Sequence, residues 1–367
     1  EMAGELLDEE WLEYLQAFPR GMIQLEIGVQ STHQPALDAV HRPQNFALWQ
    51  EKVKFLQHTC KIPVHLDLIA GLPLEGWQEF RRSFNAVFGV RPNNLQLGFL
   101  KVLKGSGIWE KSAEYGLVYS PDPPYTILRT RELNHREMLA LARIEEIIEK
   151  YYNSGRFKYS LEYILRDQQS PFDFFHSFAE YWREKGWFRR EWNPKALFEN
   201  LWRFIQEKSI SNKDIIENYV IVENNEKEEK NREEDQGKNE MTKANAAGSL
   251  EDIWREALRF DYYLLERPGQ IPAFLQGQYS SLTSAKGRHK SQMAKEMDKK
   301  REEIKNAFCR QELIPEAKDL DKRQWSRATA VEYFVVDIPN YYNLESRSWY
   351  LFYYRGSRKQ YYKYREK

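Results

Sequence analysis

The sequence predicts an α/β protein, in which a parallel sheet encloses a polar interior, followed by an α+β region. Two features of the first third of the chain predict the sheet. Short β-prone runs alternate with amphipathic stretches of helical length, as in βαβ units. Each run also alternates apolar with polar residues, although strands of parallel sheets are usually apolar on both faces.

The strands and helices of this first region follow from the same pattern. The predicted strands are Met22 to Gln30, Val64 to Gly71 and Leu95 to Leu103. The predicted helices are Asp8 to Phe18, Asn45 to Thr59 and Glu75 to Phe88. Connections of helical length favour parallel neighbours, because antiparallel neighbours are usually joined by short turns.

The polar faces of the three strands predict what the sheet encloses. Gln24, Glu26, Gly28 and Gln30 share one face of the first strand, His65 and Asp67 one face of the second, and Gln96 and Gly98 one face of the third. Unpaired buried polar groups are costly, so converging polar faces predict an interior filled by hydrogen-bonded side chains or by a polar ligand. An open antiparallel sheet with one solvated face explains the same alternation and remains the alternative.

The remainder of the chain is predicted to be helical and then β-rich. A helix from Leu133 to Tyr152 closes the first domain, and the aromatic-rich stretch from Pro171 to Lys208 forms a helical core. Residues 223–247 are mostly Glu, Lys and Asn and predict a disordered linker. Beyond it we expect helices over Leu250 to Leu265 and Lys286 to Arg310, and a β-meander of Val331 to Ile338, Trp349 to Tyr354 and Gln360 to Tyr364. The predicted domains are residues 1–160, 161–222, 223–247 and 248–367.

Composition narrows the possible partners and the compartment. The chain has 55 Lys plus Arg and 55 Asp plus Glu, so overall charge gives no reason to expect nucleic acid. Its two cysteines, Cys60 and Cys309, are too far apart for a disulfide framework or a zinc ribbon, which fits a reducing cytoplasm. No apolar run is long enough to span a membrane, so no membrane partner is expected.

Three segments in succession carry a family resemblance. They are Leu25-Glu26-Ile27-Gly28-Val29-Gln30-Ser31, then His41-Arg42, then His65 to Pro73, which ends in Gly71-Leu72-Pro73. Together they resemble the core of radical S-adenosylmethionine (SAM) proteins, and the later part resembles the C-terminal domain of unknown function 4080 found on the cobalamin-binding type. The resemblance implies the C-terminal part of a (β/α)6 partial TIM barrel. Glu1 would end its third strand, and the first two strands and the cysteine loop would be missing.

The resemblance also implies ligand contacts. Glu1 and Gln30 would accept hydrogen bonds from SAM, and Arg42 would pair with the SAM carboxylate. Asp67 would take the ribose hydroxyls, and Val102, in the run Leu100 to Leu103, would flank the adenine.

Several of these candidate residues also have a structural interpretation. Asp67 would equally serve to cap the next helix or to pair with His65, and Arg42 would equally be a surface residue of a helix. Lys101 and Lys104 suit either an anionic substrate or plain solvation. Glu26 and His65 would touch substrate or simply fill the interior.

The resemblance fails at the iron-sulfur cluster. Family members hold a [4Fe-4S] cluster with three cysteines and use it, with an electron donor, to cleave SAM to a 5′-deoxyadenosyl radical. This sequence has no CxxxCxxC, and Cys60 and Cys309 are expected to be inert. We therefore expect a truncated enzyme or a remnant that has lost catalysis, inactive alone. An intact form would act on an unknown substrate, and it would use cobalamin if a further domain binds it.

Two other classes of function remain open. The segments Trp349 to Arg355 and Lys359 to Arg365 interleave aromatic with basic residues and would stack single-stranded nucleic acid. A structural module that binds a protein partner is the third possibility. Neutral overall charge makes the nucleic-acid reading the weaker one, and we expect these aromatic residues to form the core of the terminal sheet.

Overall fold

A computed structural model describes residues 2–19, 21–42, 44–166, 168–211, 250–265, 271–276, 292–310, 324–325, 328–334, 338–339, 348–354 and 360–364. The chain forms two compact units. The first comprises Glu1–Gly155 and Gln168–Arg190, and the second comprises Arg156–Asp167 and Glu191–Lys367. The boundary therefore crosses the chain three times. The predicted linker, residues 223–247, lies outside the described residues.

The first unit is built on a four-stranded parallel sheet with the order β1-β2-β3-β4. Its strands are β1 Met2–Ala3, β2 Leu25–Gln30, β3 Val64–Ala70 and β4 Asn94–Phe99. Its helices are α1 Glu9–Gln16, α2 Gln34–Ala39, α3 Phe46–Phe55, α4 Trp77–Gly89, α5 Gly107–Glu110, α6 His135–Ile148 and, beyond the segment given to the second unit, α8 Pro171–Glu184. A short antiparallel pair is formed by β5 Val118–Tyr119 and β6 Ile127–Arg129. The parallel pairing confirms the predicted βαβ pattern and excludes the antiparallel alternative for these strands.

Polar side chains fix where several of these helices begin. Asp8 accepts a hydrogen bond from the Trp11 amide at 2.8 Å and so caps α1. Asn45 caps α3 by accepting from the Ala47 amide at 3.1 Å. Asn134 and Glu137 form a reciprocal capping box at the start of α6. Each cap satisfies backbone donors that the first turn of a helix leaves unpaired.

Burial along the strands follows the alternation seen in the sequence. Leu66 and Leu68 of β3 are fully buried, whereas Asp67 between them is only half-buried. Burying such a leucine stabilises the fold by about 1.5–3 kcal/mol. The register places Gly28, Asp67 and Gln96 in one row across three strands. The sheet therefore has one apolar, buried face and one polar face that is partly exposed.

One side chain closes part of the β4 edge. Asn153 accepts a hydrogen bond from the Leu95 amide at 2.9 Å and donates one to the Leu95 carbonyl at 3.0 Å. These two bonds replace those that a neighbouring strand would make. The amide thus blocks pairing with another chain at this position.

The second unit combines helices with an antiparallel sheet. Its helices are α7 Lys158–Leu165, α9 Pro194–Ser211, α10 Leu250–Leu265 and α11 Gln292–Arg310. Its strands are β7 Thr329–Phe334, β8 Ser348–Tyr353 and β9 Gln360–Tyr364, paired in the order β7-β8-β9. This sheet confirms the predicted terminal meander. The fold is of the mixed α/β class, and no helix among the described residues is long and apolar enough to cross a membrane.

Aromatic rings form the core of the second unit. Phe260 of α10 lies 5.2 Å, between ring centroids, from each of Phe334, Tyr350 and Phe352. Tyr350 and Phe352 are each 1% exposed. Edge-to-face ring contacts of this kind add to the energy of apolar burial. The described aromatic residues of β8 therefore stabilise the sheet, as the sequence predicted.

Candidate functional site

The polar face of the first unit brings two of the five predicted ligand residues together. A Cβ atom built on Gly28 would lie 2.8 Å from Nη2 of Arg42 and 3.5 Å from Oδ1 of Asp67. Arg42 and Asp67 therefore flank the same position of β2, although 25 residues separate them in the chain. Gln30 lies two residues further along β2. Glu1 lies outside the described residues.

Arg42 owes its position to the end of α2. The Arg42 amide donates to the Leu37 carbonyl at 2.9 Å, and the His41 amide donates to the Asp38 carbonyl at 3.1 Å. His41 is left-handed, with φ of 54°. These features make a Schellman cap, which turns the chain sharply at the helix end. Arg42 therefore follows the helix instead of lying on its surface, and its guanidinium reaches the polar face of the sheet.

Gly28 supplies the space that the Arg42 guanidinium occupies. A Cβ atom at this position would lie 2.8 Å from Nη2, so the guanidinium would have to move away from it. A guanidinium presents five donors in a planar fork and suits a carboxylate ligand. The glycine of the Ile27-Gly28-Val29 segment thus allows the Arg42 guanidinium to lie close to the sheet.

Asp67 also has a structural role. Its Oδ1 accepts a hydrogen bond from the Val29 amide at 2.9 Å. The register between β2 and β3 shifts between Gly28 and Gln30, so the carboxylate satisfies an amide at the irregularity. Asp67 is not the residue that caps the next helix, because the N-cap of α4 is Gly76. Asp67 therefore ties β2 to β3 beside Arg42.

Gln30 ends β2 in a tight turn. Its φ is 61°, and the next amide, that of Ser31, donates to the Val29 carbonyl at 2.7 Å. A residue other than glycine in this conformation is strained, and such strain concentrates at functional sites. The turn sets the direction in which the chain leaves the sheet next to Arg42 and Asp67.

Val102 lies in a different environment. It is fully buried, and its amide donates to the Tyr125 carbonyl at 3.0 Å. The Leu100 amide donates to the Ala70 carbonyl at 3.0 Å, so the segment after β4 continues the hydrogen bonding of the sheet. The amides of Leu100 and Val102 therefore already donate hydrogen bonds within the protein. Because Val102 is fully buried, its side chain has no exposed surface for an adenine to contact.

The remaining polar candidates lie at exposed or half-buried positions. Lys101 and Lys104 are exposed, and the Lys104 ammonium lies 5.2 Å from the centre of the Tyr125 ring. Glu26 is exposed and pairs in register with His65, which is half-buried. Neither lysine is held in place by a carboxylate ion pair in the described part of the chain. Both lysines are therefore solvent-exposed surface residues.

The described residues hold no metal-binding constellation of three or more His, Cys, Asp or Glu side chains. Cys60 is a buried free thiol just before β3, at the amino end of the strand, and burial raises its pKa. A raised pKa keeps a thiol protonated and unreactive. This agrees with the expected inert role of Cys60.

A buried carboxylate beside the Gln30 turn was not singled out by the sequence. Glu75 follows Gly71-Leu72-Pro73 and is fully buried, and its Oε1 accepts hydrogen bonds from Ser31 at 2.5 Å and Ser83 at 3.0 Å. Burial raises the pKa of Glu75 to about 7, against the two serine hydroxyls, which lower it. A local pattern cannot reveal this cluster, because its members come from the turn after β2, the loop after β3, and α4.

Comparison with known proteins identifies the later part of the chain. No curated protein matches the sequence. Residues 113–352, more than half of the chain, match the family described as a protein of unknown function, DUF4080. The match begins before β5 in the first unit and extends into β8 of the second. The chain belongs to the DUF4080 family.

Proposed function

We propose that the first unit binds S-adenosylmethionine on the polar face of its sheet, as the SAM-binding part of a radical SAM enzyme with a partial TIM barrel. The observation that carries this proposal is the Arg42 guanidinium placed beside Gly28 and Asp67. A guanidinium on this polar row, where Oδ1 of Asp67 already accepts from the Val29 amide, suits a ligand with a carboxylate. Ligands of parallel α/β sheets bind near the carboxyl ends of the strands, where Gln30 lies.

Each residue has a separate part in binding. Arg42 pairs with the carboxylate of the methionine moiety through its planar donors. Gln30 offers an amide oxygen to a hydroxyl or ammonium donor. Asp67 holds β2 against β3 through the Val29 amide and so fixes Gly28, over which the guanidinium lies. For Asp67 this positioning role stands beside the ribose contact that the resemblance implied.

The radical chemistry of the family requires ligands that this chain does not supply. A [4Fe-4S] cluster needs three thiolates, and the sequence has two cysteines, far apart. The cluster therefore does not fit this chain, and we derive no radical step. Reductive SAM cleavage, or methyl transfer with cobalamin, belongs to the proposal only for an intact enzyme with a cluster and an electron donor.

Titration calorimetry of the full chain with SAM tests the proposal. We expect Arg42→Ala to weaken binding by about 10- to 100-fold, since a charge-assisted hydrogen bond contributes about 1.5–3 kcal/mol. Arg91→Ala is the matched control. Arg91 precedes the amino end of the edge strand β4, whereas Gln30 lies at the carboxyl end of β2, and the Cζ atom of Arg91 lies 4.9 Å from the Phe88 ring centre. Absence of SAM binding by the wild type, or equal losses in both variants, would contradict the proposal.

No observation among the residues that the structure describes favours the nucleic-acid alternative. Tyr350 and Phe352 are buried against Phe260, so they offer no surface to a base. Tyr361 is half-buried, and its hydroxyl is hydrogen-bonded to that of Tyr159 at 2.7 Å. Stacking on single strands requires exposed ring faces.

A further inference from the structure

We infer that Glu75 is a positioning residue, which fixes the turn from Gln30 to His33 through Ser31 and Ser83 and thereby sets the affinity of the polar face for its ligand. The ligand half of this inference rests on the proposed function. The positioning half rests on hydrogen bonds within the first unit and stands by itself.

The hydrogen bonds around Glu75 form a two-step chain to the turn. Glu75 Oε1 accepts from the hydroxyls of Ser31 and Ser83. The Ser31 oxygen in turn accepts from the His33 amide at 2.8 Å. The Ser83 oxygen accepts from the Thr32 amide at 3.1 Å and from the Thr32 hydroxyl at 3.1 Å. Two successive amides of the turn are thus held by serines that Glu75 orients.

The single hydrogen atom on each serine hydroxyl explains why the turn needs the Glu75 carboxylate. A serine hydroxyl has one hydrogen and two lone pairs. When both serines donate that hydrogen to Glu75, their oxygens face the amides of Thr32 and His33 only as acceptors. Without the Glu75 oxygen, each hydroxyl is free to rotate and to donate elsewhere. The turn would then lose the acceptors that hold its amides.

Burial makes this arrangement rigid. Glu75, Ser31 and Ser83 have no exposed surface. Among the described residues, none donates a hydrogen bond to Glu75 Oε2. The nearby titratable groups are Glu79, which raises the pKa of Glu75, and the two neighbours of Glu79, Arg82 and His33. A buried carboxyl with one unused oxygen is costly, so its placement against the two serines beside a strained turn indicates a role in holding that turn.

The role predicts different behaviour for two substitutions of Glu75. Glu75→Gln keeps Oε1 as an acceptor for both serines and so keeps the turn. Glu75→Ala removes that acceptor from both. Glu79→Gln is the matched control, because Glu79 is a neighbouring carboxylate that pairs with Arg82 at 2.6 Å and makes no hydrogen bond to the turn.

Two measurements on the full chain test the inference: amide hydrogen exchange at Thr32 and His33, and calorimetric titration with SAM. We expect Glu75→Ala to speed exchange at both amides about tenfold or more beyond the protein average, and to weaken SAM binding about tenfold. Glu75→Gln and Glu79→Gln should stay within about threefold of the wild type in both measurements. Unchanged exchange at both amides in Glu75→Ala would overturn the inference.

The outcomes separate this inference from the proposed function. If the wild type binds no SAM, the proposed function fails, and exchange alone decides whether Glu75 holds the turn. If SAM binds and exchange rises in Glu75→Ala while affinity stays unchanged, the link to the ligand is wrong. Should Glu75→Ala fail to fold, Ser83→Ala replaces it: exchange should rise at Thr32 and not at His33, and unchanged exchange at Thr32 overturns the inference.

Discussion

A buried carboxylate in each unit accepts hydrogen bonds from its neighbours, but the two carboxylates are used differently. Glu75 of the first unit and Asp261 of the second are almost inaccessible to solvent, and burial raises the pKa of each to about 7. Asp261 uses both oxygens: Oδ1 accepts from the Tyr159 amide at 3.2 Å, and Oδ2 accepts from the Ser160 amide at 2.7 Å and hydroxyl at 2.6 Å. Glu75 uses only Oε1.

The difference follows from what each carboxylate holds. Asp261 caps α7 from another helix, because the residue preceding α7, Phe157, has no acceptor in its side chain. All its hydrogen bonds go to the first turn of one helix. Glu75 instead reaches a strained turn through two serines and leaves one oxygen unsatisfied. A buried carboxylate whose two oxygens are both hydrogen-bonded fits a structural role, whereas the unsatisfied Oε2 of Glu75 fits the positioning role that we infer for it.

The largest expected effect concerns Asp261. Asp261→Ala should lower the free energy of unfolding of the full chain by about 3 kcal/mol, since it removes a helix cap and leaves buried donors unpaired. Chemical denaturation followed by circular dichroism measures this. Asp252→Ala on the same helix is the control, because Asp252 makes a partly exposed ion pair with Arg255, and it should cost less than about 1 kcal/mol. Equal losses would remove the distinction between the two carboxylates.

The next effect concerns pH and Glu75. The native pKa of Glu75, about 7, lies above its ordinary value of 4.5, so the folded protein holds this proton more tightly than the unfolded chain. The resulting stabilisation is complete below pH 4.5 and is lost as the pH rises through 7. The unfolding free energy of the wild type relative to Glu75→Gln should therefore fall with rising pH, by at most about 1.4 kcal/mol per pH unit. Denaturation curves across this range give the slope, and a rising difference would mean that the serine hydrogen bonds outweigh burial.

The sequence predicts the secondary structure well where periodicity is strong. Alternation placed Asp67 and Gln96 on the polar face, and the structure has them in one row with Gly28. The strand predicted from Met22 begins at Leu25, and the third predicted strand ends at Phe99, where the chain turns to pair near Tyr125. Such ends depend on partners distant in sequence, which local patterns do not record.

The candidate site was less predictable, for a physical reason. Arg42 and Gly28 were identified as parts of separate motifs, but their contact depends on the left-handed His41 at the end of α2. The hydrogen bond from the Val29 amide to Oδ1 of Asp67 was not expected, because it depends on a register shift between β2 and β3 that the sequence pattern does not show. The role of Glu75 depends on burial, which no single segment encodes.

SAM affinity of two glycine variants tests the central claim most directly. Gly28→Ala places a methyl group 2.8 Å from Arg42 Nη2, so the guanidinium must move, while Gly98→Ala in β4 meets only ordinary contacts at 3.6 Å and beyond. With binding measured by calorimetry, we predict that Gly28→Ala weakens SAM binding about five- to tenfold at nearly unchanged stability, and that Gly98→Ala binds as the wild type does. Equal affinity in Gly28→Ala and the wild type would contradict a site built around Arg42.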